Sequence, residues 1–453
     1  MNLNIGSKIK NFMLNENKIK IVATVIWCLF VISQIFITFW FTGDQISDSE
    51  TYLSIASSIA KTGTWYPNTT HLHSLYFFGV GYINFLSLIF RVTNNLKVIF
   101  VINILLTQLL LGSCLFILKR ISYSPVVRYY FVIMFCLLNT FVSETVSLRT
   151  ETIFTALCFL ALAFLHTNKK YTFILCGIIL AIANWIRPLG IAFLLGGIAV
   201  HIFHKRKFKT ILITITSYVL TIVLIGSFSY ANSGHFIYQS TTFGVNFLMS
   251  ANDNGDGSYM DITQKGEAGY IEPQKAKNMI FKDYDKHFTE LSLKWIMKNP
   301  LKYLAQKPAK LFYLYATETY SGSAYFNNKI ATGGIDYIKS LVTKLSKRSN
   351  EKILIGDIMI IFNQIWYMLL GVLAVVGVLL KSIRKKYKIL YAYLLIMVLG
   401  TGITLIVVGG ARYHFPYLPI IMMYASIALE TLLKKNNFKN SDEFKESNGF
   451  ECL

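Results

Sequence analysis

The sequence predicts an all-α polytopic membrane protein, and three observations carry that prediction. Hydrophobic residues make up 54% of the 453 and charged residues only 15%, where a soluble domain carries about 25% charge. The apolar residues fall in long unbroken runs, which mark membrane helices rather than one soluble core. Basic residues collect in the short loops between those runs, as membrane topology requires. Short segments alternating polar and apolar, the mark of a transmembrane barrel, are not seen. A formal net charge of +21 would suggest nucleic acid in a soluble chain. Here topology and anionic head groups account for it, and no nucleic-acid partner is expected.

The elements follow in order. Residues 1–19 form a basic cytoplasmic tail. Candidate spans, at about 20 apolar residues each, are roughly 20–41, 96–118, 129–145, 152–167, 171–186, 188–203, 208–230, 355–380, 388–410 and 414–433. The first is too long for a signal-peptide core and no small-residue cleavage site follows it, so it is read as retained. Residues 42–95 form a first outside loop, which makes 20–230 an N-terminal membrane module. With the N-terminus inside, the basic loops all become cytoplasmic, including Lys119/Arg120/Arg128, Lys169/Lys170, Lys205–Lys209 and Lys381–Lys388. The outside turns keep isolated arginines, Arg149, Arg187 and Arg412. A full span at 76–91 would invert that pattern, so this stretch is expected as a helix lying in the outer interface.

Residues 231–354 are hydrophilic and outside. Gln239–Asp261 reads as loop. Residues 275–316 read as amphipathic helices on a membrane surface, divided by Pro300 and Pro308. Spans at 355–433 and a polar cytoplasmic tail at 434–453 complete the chain. The six cysteines, Cys28, Cys114, Cys136, Cys158, Cys176 and Cys452, have neither metal nor disulfide spacing and read as small hydrophobes.

Chemistry is expected at the outer boundary. Asp44, Asp48 and Glu50 follow the first span, where a carboxylate needs a reason because hydrocarbon penalises it. If 48–56 is a helix, Asp48, Tyr52 and Ala56 share a face. Ordinary capping by Ser47 and Asp48 explains the same residues. Glu151 opens the span 152–167 at the same level, with Arg149 as its neutralising partner, and plain helix-start chemistry again competes. Arg187, in Trp185-Ile186-Arg187-Pro188, and Arg412, in Arg412-Tyr413-His414-Phe415-Pro416, offer guanidinium forks suited to phosphate. Snorkelling to head groups is the alternative. Asp253-Asn254-Gly255-Asp256-Gly257 hints at calcium, but Gln264 stands where the loop needs Glu. His71 and His73 could pair on a metal or simply belong to an interfacial loop.

With those residues in view, the chain resembles the polytopic lipid-linked sugar transferases of the GT-C class. It is similar to their bacterial branch related to protein O-mannosyltransferases and the lipid A aminoarabinose transferase. The resemblance runs from about residue 20 to 433. It is carried by Ser47-Asp48…Tyr52…Ala56…Lys61-Thr62-Gly63, by Leu148-Arg149-Thr150-Glu151-Thr152-Ile153-Phe154, and by Ser240-Thr241-Thr242-Phe243-Gly244-Val245-Asn246-Phe247 with Asn252…Gly257. Trp295-Ile296…Asn299-Pro300…Tyr303-Leu304 and Arg412-Tyr413-His414-Phe415-Pro416…Pro419 complete it. One departure is Ser49 between Asp48 and Glu50, where the family often has Asp-Glu in succession; Asp44 then competes for the base role.

The resemblance implies a GT-C-like helix bundle in a bacterial cytoplasmic membrane, with the active site outside and both termini inside. It implies transfer of a sugar from a polyprenyl-phosphate donor to an acceptor hydroxyl on a glycan, lipid or protein, with inversion at the anomeric carbon. Asp48 would be the base, assisted by Glu151. Arg412, Arg187 and His414 would bind the donor phosphate, and Asp44, Glu50, Tyr52 and Tyr413 would position the substrates. No cofactor is required by it, and a divalent cation stays open. Two other classes compete: a polysaccharide polymerase or ligase using lipid-linked substrates, and a transporter or flippase. Carriers bury ionisable groups near the midplane, whereas here charge concentrates at span ends.

Overall fold

The computed structural model describes residues 3–41, 45, 47–122, 124–167, 169–255, 259–319, 339, 342–343 and 355–447. Asp44, Cys452, Asp256 and Gly257 lie outside these, as does most of the stretch 320–354. Among the described residues every regular element is helical and there is no strand. The protein is an α-helical membrane protein by the length and apolarity of those helices.

The N-terminal helix α1 (Leu3–Leu14) leads into α2 (Glu16–Trp40), which starts where the Asn15 side chain accepts from the Lys18 amide. Then follow α3 (Asp48–Thr62), closed by left-handed Gly63, and the short α4 (Val80–Phe90). Helix α5 (Leu96–Ile121) is capped by Asn95 in the same way as α2, and α6 (Pro125–Cys136) begins on proline. Next come α7 (Thr150–Leu165), α8 (Lys170–Ile186), α9 (Gly190–Phe203) and α10 (Phe208–Ser233). The hydrophilic region holds α11 (Phe243–Ser250), α12 (Phe281–Lys298), α13 (Pro300–Ala305) and α14 (Lys307–Tyr315). Helices α15 (Ile355–Leu379), α16 (Leu390–Ile406) and α17 (Leu418–Ser447) end the chain, the last preceded by the helical turn Ala411–Tyr417.

Among the described residues, five helices are long and apolar enough to span: Glu16–Trp40, Leu96–Ile121, Phe208–Ser233, Gly356–Leu379 and Ala411–Lys434. The expected span 129–145 falls on a bent pair, α6 and Thr140–Val146, which meet at 59° and are together long and apolar enough for one broken span. The Thr140 amide, instead of continuing the helix, donates to Asn363 Oδ1 at 3.3 Å. The expected spans at 152–167, 171–186, 188–203 and 388–410 form helices of 16, 17, 14 and 17 residues. At about 1.5 Å per residue these fall short of a bilayer core of about 30 Å. Helix α7 is buried along almost its whole length, so its neighbours, not lipid, surround it.

Helix α4 has 11 residues, eight of them buried. It is too short to cross a membrane, and it packs chiefly on α3 and α8 rather than lying free. The stretch Gln239–Asp261, expected as loop, contains α11. In the next stretch, Pro300 and Pro308 do begin helices. Its lysines, however, are not all on a wet face: Lys310 is fully buried. Cys114, Cys136, Cys158 and Cys176 are buried free thiols.

The bundle has two chemically distinct ends. At one, Arg206 Nη2 donates to Thr167 O at 2.7 Å, His204 faces His166 at 3.3 Å, and Ser124 bonds Glu430. The basic loops join helices there. At the other end lie the starts of α3 and α7, the end of α8 and the turn before α17.

Candidate active site

Three buried amide side chains assemble the second end. Gln45 Nε2 donates to Val146 O at 3.1 Å while its Oε1 accepts from the Leu148 amide at 3.2 Å. The segment just before α3 is thereby pinned to the turn before α7. Asn103 Nδ2 of α5 donates to Thr145 O and Ser147 O at 3.1 and 2.9 Å. Asn84 of α4 bonds both backbone groups of Tyr66, at 3.0 and 2.6 Å. An unpaired amide or carbonyl buried here would cost about 1–3 kcal/mol, so these contacts fix the loops firmly.

Asp48 opens α3, and its carboxylate pairs with the Arg412 guanidinium. Ser47 stands at the N-cap with φ of 56° and makes no side-chain cap bond, so the plain capping alternative fails for it. Glu151 opens α7 and pairs with Arg187 at the end of α8, Nη1 to Oε1 at 2.9 Å. The two pairs differ in access. The side chains of Arg412 and Asp48 are 26% and 32% exposed, those of Arg187 and Glu151 only 9% and 4%.

Tyr413 joins them. Its ring lies 5.1 Å from the Arg187 guanidinium carbon and 5.3 Å from that of Arg412. Such contacts contribute about 0.5–2 kcal/mol each, more where water is excluded. Tyr52, one turn beyond Asp48, is buried and packs on Phe78 and Tyr82 with centroids 4.9 and 5.2 Å apart. Burial, then the Asp48 and Glu151 carboxylates, push its phenol well above the ordinary value, against the pull of Arg412 and Arg187. It is a neutral hydroxyl held within reach of all four charges. Ala56 is also buried, so the expected shared face of Asp48, Tyr52 and Ala56 is real.

Gly79 makes room for Tyr52. Its φ is +56°, and a Cβ there would stand 2.3 Å from Tyr52 Cε1. The segment is held by Ser240 and Thr241: Gly79 N donates to Ser240 Oγ at 3.0 Å, and Thr241 N to Phe77 O at 2.7 Å.

Two expectations are corrected, for Arg149 and His414. Arg149 forms its ion pair with Glu144, five residues before it, and its Nε donates to Ser147 Oγ at 2.6 Å; its charge acts on Glu151 only behind those of Arg187 and Arg412. That choice leaves Glu151 to Arg187. His414 does not face the site as a phosphate ligand. It is fully buried, with Nδ1 on Leu314 O at 2.6 Å and Nε2 on the Glu318 carboxylate. Glu50 is exposed, on a different side of α3 from the buried Tyr52. His71 bonds Asn68 Oδ1 at 2.7 Å and His73 meets Met279 O at 3.0 Å.

Asp253, one residue of the calcium hint, instead accepts from Trp295 Nε1 at 3.0 Å and pairs with Lys302. Among the described residues no group of three or more His, Cys, Asp or Glu is gathered for a metal ion. Sequence reasoning missed Glu144, Glu318, Gln45 and Asn103. The only signal was that each is a polar residue inside or beside an apolar run.

No protein-family model matches this chain, and a search of curated proteins finds no match.

Proposed function

We propose that the protein is a membrane glycosyltransferase moving a sugar from a polyprenyl-phosphate donor to an acceptor hydroxyl. The observation that supports this best is the Tyr413 ring set between two guanidiniums, each paired with a different helix-opening carboxylate. Two arginines at one bundle end suit a lipid-linked phosphate whose tail stays among apolar helices. The basic loops gather at the other end, and by the positive-inside rule that end is cytoplasmic. The site then faces outside, in the cytoplasmic membrane of a bacterium.

The chemistry follows from the pairing. In the resting site Arg412 holds Asp48. A donor phosphate competes for the Arg412 fork and releases the carboxylate. The acceptor oxygen then attacks the anomeric carbon, its proton passes to Asp48, and the bond to the phosphate oxygen breaks with its electron pair leaving on phosphate. Arginine charge placed in advance stabilises that leaving group. Attack opposite the phosphate inverts the anomeric centre. Glu151, sealed in its pair, holds Arg187 in place rather than meeting the acceptor.

The test is transfer by purified wild type from a panel of radiolabelled polyprenyl-phosphate sugars to a membrane extract. Label appearing in single-sugar products supports the reading and names the sugar. Chain-length products would favour the polymerase or ligase reading. Uptake into vesicles without any transfer would favour a carrier.

A further inference from the structure

Helix α16 ends at Ile406, and a helix end leaves its last carbonyls without intrahelical partners. Here three of them are met by side chains from one neighbouring stretch. Lys310 Nζ donates to Val407 O at 2.5 Å and Leu405 O at 3.2 Å, and also bonds Ser250 Oγ. Lys307 Nζ donates to Leu405 O at 2.9 Å, and Tyr303 Oη to Ile406 O at 2.7 Å. Five residues beyond Val407 stands Arg412. On its far side the same helix α14 grips again, where His414 Nδ1 donates to Leu314 O. Helix α14 therefore splints the segment that carries Arg412 at both ends.

Lys310 is the unusual member. It is fully buried, and among the described residues no carboxylate pairs with it. The titratable groups facing it are Lys307 and Tyr303, with Arg412 and His414 on the turn packed against its helix. Burying an ammonium without a counter-charge costs several kcal/mol, and a methionine would fill the same space without that cost. What only the lysine supplies is N–H donors to the two carbonyls. Either protonation state supplies them, because a neutral amine donates twice and accepts from the Ser250 hydroxyl.

We propose that Lys310 is a positioning residue: by binding Leu405 O and Val407 O from α14, it fixes segment 407–413 and so sets where Arg412 stands against Asp48. The consequence for phosphate rests on the transferase reading; the position of the segment does not.

The test uses the full chain in lipid nanodiscs with Lys310→Met, and Lys302→Met as an exposed control. Amide hydrogen exchange over 405–414 is expected to rise at least tenfold in Lys310→Met, with α7 unchanged and the control like wild type. Affinity for a polyprenyl phosphate carrying no sugar is expected to fall about tenfold. Wild-type exchange over 405–414, or equal acceleration in α7, would overturn the proposal. Local acceleration with unchanged phosphate binding would keep the positioning role and overturn the phosphate role of Arg412. If Lys310→Met does not fold, Ser250→Ala removes one partner of the lysine. A several-fold rise confined to 405–414 then supports the proposal, and no rise overturns it.

Discussion

Asp48 and Arg412 lie 364 residues apart in the chain and meet in an ion pair whose two side chains keep about a quarter to a third of their surface open. The Glu151–Arg187 pair beside it is nearly sealed. On the proposed reading, the open pair exchanges partners with a ligand while the closed pair holds shape. The variants below separate these two roles.

Removing one half of the sealed pair strands a buried charge. Arg187→Gln is expected to destabilise the protein by about 3–5 kcal/mol. The double variant Glu151→Gln/Arg187→Gln is expected to recover much of that loss, because no unpaired charge remains. Thermal unfolding of wild type, Glu151→Gln, Arg187→Gln and the double variant in detergent, read as a double-mutant cycle, checks this. A double variant as unstable as the sum of the two singles would contradict it.

Gly79→Ala is expected to damage the site without touching a charge. The added Cβ meets the Tyr52 ring and forces a left-handed backbone on an L-residue. A loss of about 1–3 kcal/mol is expected, with near-ultraviolet circular dichroism reporting the displaced tyrosine. A neighbouring change, Ser240→Ala, removes only the bond to the Gly79 amide and is expected to cost about 1 kcal/mol.

How much of this was legible in the sequence divides by range. The helical membrane class, the Asp48–Tyr52–Ala56 face and the helix starts at Pro300 and Pro308 were legible, because period and proline act locally. Which carboxylate each arginine would take was not. Arg149 has acids two and five residues away, and the buried turn before α7 selects Glu144. His414 was misread because Glu318, nearly a hundred positions earlier, gives no local sign. The bend after Cys136 carries no proline or glycine. Where the helix restarts, the Thr140 amide donates to Asn363 on a distant helix, a contact with no local sign in the sequence.

Stability should rise with pH above neutrality. Burial, then the neighbouring Lys307 charge, pull Lys310 down to about 7, and burial pulls Lys307 down to about 8. Between those values and the ordinary lysine value the unfolded chain binds more protons than the folded one. Stability therefore increases through that window, by up to about 1.4 kcal/mol per pH unit for the buried Lys310 and by less for the partly exposed Lys307, which solvent screens. Melting temperatures from pH 6.5 to 10 are expected to climb in wild type, relative to Lys310→Met, which loses the Lys310 share. Parallel curves for the two proteins would contradict this.

The most direct measurement is sugar transfer by Asp48→Asn, made beside wild type after both are shown to unfold at similar temperatures. The amide keeps the shape of the carboxylate and cannot take the acceptor proton. Transfer is expected to fall by about 10²–10⁴-fold, while the polyprenyl phosphate still binds at Arg412. Wild-type rates in that variant would remove Asp48 from the reaction and with it the account of the site given above.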